Sequence, residues 1–357
     1  MSRPCFPPVF YGKYTVDRLT PEQHDELLEN GWFRHDVNVF SSCIKFMGND
    51  WRSSVMLRVP LEHFTMKKRL RKLLRKNGEL FRHEVRPFIQ DGEKEALWQE
   101  FKRSVHQWGF TPQLDIHLLR DVPSACFCMW ELCVYHGDRL VAFSVFDQGL
   151  HSIASQEAAY DPAYKTYSLG LYTMLLEIEH AKQEGIAYYY PGFFPKDVPM
   201  FEYKLRPGQV EFYRFTEKRW LPWEAHGESD WLMERVSARL DAARSFLAAG
   251  RLFVQKGLGV FYARPSDLPS ASNYNMLLVA KNKLATKDSA CLIAWDPALE
   301  QYRAFLAAPL LGAPYFSAGI TDQHNTSLLD VGPDRHLGDF ADLGQLLPVV
   351  QQALRVT

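Results

Sequence analysis

Within ten residues, Asp161-Pro162-Ala163-Tyr164-Lys165-Thr166-Tyr167-Ser168-Leu169-Gly170 gathers a carboxylate, a cation, two aliphatic hydroxyls and two phenol rings. Asp161 can orient an attacking amine or accept its proton, and Lys165 can meet a phosphate. The rings suit stacking of a nucleic-acid base. Simpler roles compete, since Asp-Pro opens turns and Ser168 sits where a helix would be capped. Downstream, Tyr188, Tyr189 and Tyr190 alternate across a strand, so Tyr189 faces opposite its neighbours. That alternation leaves open which face lines a pocket. Lys204 is a further cation, able to neutralise an acidic group or a phosphate.

A second kind of chemistry is suggested by Lys67-Lys68-Arg69-Leu70-Arg71-Lys72-Leu73-Leu74-Arg75-Lys76, which carries seven basic residues and no acid. Leu70, Leu73 and Leu74 fall at i, i+3 and i+4, so one helical stripe is buried and Lys67, Lys68, Arg71, Lys72 and Arg75 occupy the rest. Uncompensated cations repel one another, and an anionic partner relieves that strain. A solvated face is the plain alternative. The net charge is only −1, so any polyanion must be held by such a local patch.

Metal and thiol chemistry find little support. Cys126-Phe127-Cys128-x4-Cys133 reads as part of a strand, with poor spacing for a disulfide framework and no well-spaced histidine. His35, His63, His83, His106 and His117 are scattered. The start has no secretory pattern and no stretch approaches a membrane span, so a reduced, cytoplasmic protein away from membranes is expected.

These groups need elements to position them. Thr20-Pro21-Glu22-Gln23 has a capping-box pattern opening a short helix that ends at Asn30-Gly31. Strands are expected over 32–40 and 53–59, and a helix over 93–108. Residues 129–136 and 139–147 form a hairpin around Gly137-Asp138, with a third strand over 153–160. Leu171, Met174, Leu175, Ile178 and Ala181 make the apolar stripe of a helix that Gly185 ends. A buried strand over 186–190 is expected to break at Pro191-Gly192. A helix over 229–249 opens a C-terminal region of short strands.

The β-β-β-α-β order around a long helix is that of the acetyltransferase (GNAT) core, an α/β fold with a mixed sheet. The division expected is an α+β N-terminal region over 1–112, the core over 113–224 and an extension over 225–357. In such cores donor and acceptor meet where strands splay beside the helix N-terminus, whose free N–H groups attract anions. Acyl-CoA enzymes place a Q/R-x-x-G-x-G/A turn there. This chain has Tyr164 to Gly170 instead, with one glycine.

Residues 14–207 carry a resemblance. Tyr160-Asp161-Pro162-x-Tyr164, Ser168-Leu169-Gly170-x-Tyr172, Leu176-Glu177-Ile178-Glu179, Tyr188-Tyr189-Tyr190-x-Gly192-Phe193 and Met200-x-x-Tyr203-Lys204-x-x-Pro207 resemble the C-terminal signature of arginyl-tRNA–protein transferases. Gly137 to Asp147 is similar to the family's hairpin, and Gly31-Trp32-Phe33-Arg34 and the basic run match its N-terminal half more loosely. The resemblance implies protein arginylation or a related aminoacyl transfer from charged tRNA to a protein N-terminus or small amine. Arginyl-tRNA is the implied donor, with leucyl-tRNA also used by related bacterial enzymes. Tyr160, Asp161, Ser168 and Tyr189 are then the expected catalytic residues. Tyr164, Lys165, Tyr188, Tyr190, Tyr203, Lys204 and the basic helix would contact tRNA or acceptor.

The chain departs from the family where a cysteine-rich loop usually follows the first strand. Only Cys43 stands there, and one thiolate cannot supply a four-ligand site. No metal or other cofactor is therefore expected. Aminolysis of an ester already activated on tRNA needs positioning and oxyanion donors but no protein nucleophile. An acyl-CoA-dependent N-acyltransferase and a non-catalytic RNA-binding homologue are the alternatives.

Overall fold

The structure is a computed structural model that describes residues 11–47, 50–105, 113–114, 118–119, 122–259, 276–282, 290–309, 327–329 and 331–354. The N-terminal elements are β1 (Tyr11–Thr15), α1 (Pro21–Glu29), β2 (Phe33–His35), β3 (Asn38–Ser42), β4 (Ile44–Met47), β5 (Asp50–Pro60), α2 (Lys68–Gly78), β6 (Arg82–Pro87) and α3 (Gly92–Val105). The central ones are β7 (Met129–His136), β8 (Arg139–Gln148), β9 (Ser152–Tyr160), α4 (Leu169–Gln183), β10 (Tyr188–Pro195), β11 (Glu211–Arg214) and β12 (Arg219–Pro222). Last come α5 (Leu232–Ala249), β13 (Leu252–Gly259), β14 (Met276–Asn282), β15 (Ala290–Asp296), β16 (Gln301–Pro309), β17 (Ser327–Leu329), β18 (Val331–Phe340) and α6 (Leu343–Ala353). No helix among the described residues is long and apolar enough to cross a membrane.

The central sheet runs β12-β11-β5-β10-β9-β8-β7-β6, with β4 also paired to β5. Strands β7, β8 and β9 form an antiparallel meander. Helix α4 then crosses over to β10, which lies parallel to β9, as a parallel pair requires. This is the expected β-β-β-α-β core. Helix α4 is buried on most of its surface because it lies between the sheet and α2.

Several sequence expectations need correction. Residues 32–40 are not one strand: Asp36, at φ +60°, turns the chain between β2 and β3. Pro191-Gly192 does not break β10. It produces a bulge, and the strand continues to Pro195. Cys126 lies in a 3₁₀ turn over Ser124–Phe127 and Cys128 in a left-handed turn position, so the two share no strand face. The expected boundary at 112 falls inside one sheet, because β5 pairs with β10 and β6 with β7. Residues 106–108 of the expected helix lie outside the described residues.

A buried ionic cluster fastens the small sheet β1-β3-β2 to the core. Arg34 donates from Nε and Nη2 to the two oxygens of Asp147 at 2.6 and 2.8 Å, and from Nη1 to the carbonyls of Asp36 and Leu118. His24 Nε2 lies 3.2 Å from the same carboxylate, and Gln156 donates to it at 2.8 Å. Burial alone would raise Asp147, but the charge of Arg34 and these hydrogen bonds hold it below its ordinary value.

The C-terminal sheet, ordered β17-β13-β14-β15-β16-β18, packs against α5 and α6. It is tied to the core through Ser53 of β5, which donates to Glu234 and accepts from the Met233 N–H at 2.9 Å.

Candidate active site

Strand β10 pairs with β9 only at Tyr188, Tyr189 and Tyr190. After the bulge it follows β5, from Gly192 opposite Leu57 to Pro195 opposite Ser54. From Ser155 onward β9 keeps β8 on one side and has lost β10 on the other. The strands therefore splay, and the 3₁₀ turn Pro199–Leu205 packs against β10 beside the gap. Gly192 is favoured at the bulge because its φ is +83°, a conformation side-chain-bearing residues rarely adopt.

At the floor of the splay is Glu177, from the middle of α4, with no exposed surface. Tyr189 Oη donates to its Oε2 at 2.6 Å, and the half-buried Ser155 donates to Oε1 at 3.5 Å. Burial pushes the carboxyl up to about 7, against the opposing pull of the Ser144, Tyr189 and Ser155 hydroxyls. Tyr189 moves well above its ordinary value through burial and the neighbouring carboxylate, so it keeps its proton and acts as a donor. A carboxyl poised near neutrality behind a partly exposed hydroxyl can take a proton from the gap.

Two lysines surround Phe193 just after the bulge, where its ring packs with the core on the opposite side of the sheet from Tyr189. Lys204 is almost wholly buried and donates from Nζ to the Phe193 carbonyl at 3.0 Å. Burial lowers it to about 8, with Glu157 pulling the other way. Lys45 places its ammonium 3.7 Å from the Phe40 ring centroid and 3.8 Å from that of Phe193. Burial and the charge of Lys204 hold it well below the usual lysine range. Tyr203, next to this pair, is raised by burial and by Glu177 and Glu157. Lys102 lies 3.8 Å from Glu157.

The expected site residues divide between this gap and other places. Tyr189, Tyr203 and Lys204 are here. Tyr188 and Tyr190 are on the opposite face of β10, against Arg58 and Trp220. Asp161 is buried, accepts from the Ala163 N–H at 2.8 Å and from Arg139 at 2.5 Å, and so braces the turn Pro162–Tyr167. It ends β9 about 20 Å of strand beyond Ser155. The proposed base thus has a structural occupation. Tyr160 packs its ring 4.9 Å from that of Phe101. Ser168 begins α4 with φ +53° and an exposed side chain that makes no capping hydrogen bond, contrary to the capping role expected of it.

The basic helix is connected to the same end of the core. Lys67, Lys68, Arg71, Lys72 and Arg75 are all exposed, while Leu70 is buried. Asn77 donates to the Tyr167 carbonyl at 2.9 Å, and Phe81 packs edge-on against Tyr164 and Tyr167. Tyr164 also lies 3.0 Å from His136 Nδ1, and Lys165 is exposed beside it. The end of the basic helix is thus joined to the ring cluster through Asn77 and Phe81.

Sequence reasoning missed Glu177, Ser155, Lys45 and Glu157 as site residues. Glu177 had a legible signal, being an acid among positions that are otherwise apolar or small on a buried helix. Lys45 had none, because its neighbours come from β3 and β10. Among the described residues no group of His, Cys, Asp and Glu is arranged to hold a metal ion. Cys43 is buried, which pushes its thiol up to about 12.

Comparison with known proteins bears on the same region. The family described as arginine-tRNA-protein transferase, C terminus, matches residues 93–214. An aspartate/glutamate leucyltransferase of Leptospira interrogans is 28% identical over 203 residues, spanning 53% of this chain and 74% of that protein. One from Pseudomonas aeruginosa is 28% identical over 172 residues, spanning 47% of this chain and 70% of that protein. Among solved structures, FemX aligns at TM-score 0.36 and 10% identity over 57% of this chain and 69% of its own. A GCN5-related N-acetyltransferase-like protein from Streptococcus suis aligns at TM-score 0.29 and 12% identity, over 44% and 58%. The matched segment runs from α3 to β11 and contains Ser155, Glu177, Tyr189 and Lys204. Residues 93–214, with their mixed α/β core, are thus similar to the C-terminal part of arginine-tRNA-protein transferases.

Proposed function

We propose that the protein transfers an aminoacyl group from charged tRNA to the α-amino group of a protein or peptide. Leucine is the favoured donor residue, because the curated relatives cited above are named leucyltransferases, with arginine second from the family description. Their names also make an N-terminal aspartate or glutamate the favoured acceptor. Such a reaction belongs in the cytoplasm, where charged tRNA is made and used.

The observation that carries this reading is the Ser155–Glu177–Tyr189 group at the splay of β9 and β10. The acceptor amine enters the gap beside Ser155 and attacks the ester carbonyl. A C–N bond forms and the C–O bond to the tRNA ribose breaks. The amine proton passes through the Ser155 hydroxyl to Glu177 and returns to the departing ribose oxygen. No protein nucleophile takes part. Exposed Lys67, Lys68, Arg71, Lys72, Arg75 and Lys165 receive tRNA phosphates, with the Tyr164 and Tyr167 rings available to a base. Asp161 and Tyr160 support the turn leading to α4, rather than the proton transfer.

The test is to incubate the protein with labelled leucyl-tRNA or arginyl-tRNA and peptides beginning with Asp, Glu or Ala. Label is expected in the peptide, and prior ribonuclease treatment should abolish it. Ribonuclease-insensitive transfer from an acyl-CoA would replace this reading with the N-acyltransferase alternative. tRNA binding without transfer from either donor would leave the RNA-binding one.

A further inference from the structure

We propose that Lys45 and Lys204 together form the receptor for the acidic side chain of the acceptor's first residue. This rests on the transferase reading above but adds a residue from outside the segment that matches the family. Lys45 comes from β4, Lys204 from the turn after β10, and Phe193 holds both. Its ring takes the Lys45 ammonium and its carbonyl takes that of Lys204.

The arrangement is costly as it stands. Two like charges share a poorly solvated place, and each lysine is displaced downward by burial, Lys45 also by its neighbour. Among the described residues neither ammonium is in an ion pair. Lys45 has the faces of Phe40 and Phe193, which stack 5.2 Å apart at 14°. An entering carboxylate would relieve the repulsion and accept charge-assisted hydrogen bonds from both lysines.

A carboxylate suits the place better than a tRNA phosphate does. The pair is recessed, with Lys204 only 8% exposed, so it admits a small planar anion more readily than a ribose-flanked phosphodiester. Phosphates have the open face of α2. The competing account is that Lys45 only clamps Phe40 to Phe193, fastening β3 to the core.

The experiment compares peptides beginning with Asp and with Asn, equal in size and different in charge. Transfer is measured as kcat/KM, and binding of each peptide alone by calorimetry, for the wild type, Lys45→Met and Lys45→Arg. The Asp-over-Asn preference should fall roughly 10- to 100-fold in Lys45→Met, as expected for a hydrogen-bonded charge pair, and return largely in Lys45→Arg. Near-ultraviolet circular dichroism reports whether the Met variant keeps its packing. If it does not, the Arg variant carries the decision, because a mere clamp would leave its preference unrelated to charge. An undiminished preference in Lys45→Met, or equal losses for both peptides, overturns the proposal. So does a loss confined to tRNA affinity. Should the wild type transfer nothing, peptide binding alone still decides: discrimination that depends on Lys45 supports the receptor while the transferase reading fails.

Discussion

Replacing Glu177 by Gln removes one titrating proton from the centre of α4 while preserving the shape of the side chain. Burial moves this carboxyl from 4.5 to about 7. Between those values the folded protein keeps a proton that the unfolded chain has released. The stabilising contribution is therefore complete below about 4.5 and is lost as the pH rises through about 7. At 1.36 kcal/mol per pH unit, the ionised form is disfavoured by about 3 kcal/mol. The neutral amide of Glu177→Gln would carry no such penalty. Its oxygen can still accept from Tyr189, and its NH₂ can turn toward Ser155, so at pH 5 the variant should be within ~1 kcal/mol of wild type. At pH 8 it should have gained about 2–3 kcal/mol relative to wild type. Urea unfolding from pH 5 to 8.5, with hydrogen exchange on the α4 amides, isolates this region from the C-terminal sheet. Catalysis should move the other way. Glu177 must be ionised to accept a proton, so the wild-type rate should rise with pH to a plateau above about 7. The Gln variant should lose that limb and roughly 10²–10⁴ in rate with tRNA binding intact. A stability difference that stays constant across this pH range would refute the burial argument. Transfer at full speed would remove Glu177 from the reaction.

Charge reversal of Lys68, Arg71 and Arg75 to Glu should weaken tRNA binding and flatten its log–log salt dependence by about 0.7–0.9 per lost phosphate contact. Thermal stability should barely change, since these side chains are exposed. Arg34→Met strands Asp147 in a dry site and should cost about 3–5 kcal/mol in urea unfolding. The double change Arg34→Met with Asp147→Leu should recover most of that loss. Cys43, with its thiol near 12, should resist iodoacetamide in the native protein and react on unfolding.

Local signals were readable where one residue dictates one conformation. Thr20 and Gln23 make the capping box reciprocally, at 3.3 and 2.9 Å. Gly31, Gly137 and Gly185 all take the positive φ their positions imply. The apolar stripe of α4 and the hairpin at Gly137-Asp138 were legible for the same reason. Features set by distant partners were not. The turn at Asp36 lies beside Arg34, whose guanidinium reaches the Asp36 carbonyl, Asp147 and Leu118, and the last two lie far along the chain. Asp161 looked free because Arg139 is 22 positions away, on the other strand of a pair. Its Asp-Pro turn role was visible, and it is the role the structure shows.

The site depends most on a feature that the sequence reading took for a strand break. Had Pro191-Gly192 ended β10, nothing would hold Phe193 against β5, and the two lysines would have no common partner. As a bulge, the same residues let β10 exchange β9 for β5 without losing its ladder. The exchange uncovers Ser155 in front of Glu177, and it also turns Phe193 toward Lys45 and Lys204. The proposed proton acceptor and the proposed anion receptor thus flank one irregularity, Tyr189 packing with the α4 side of the sheet and the Phe193 ring with the other side. Their separation is set by strand pairing rather than by loop conformation. The N-terminal strands then complete the site, because only β4 brings Lys45 to Phe193. Residues 93–214 carry the family match and the proposed acid–base group, yet the charge that would select an acceptor comes from outside them.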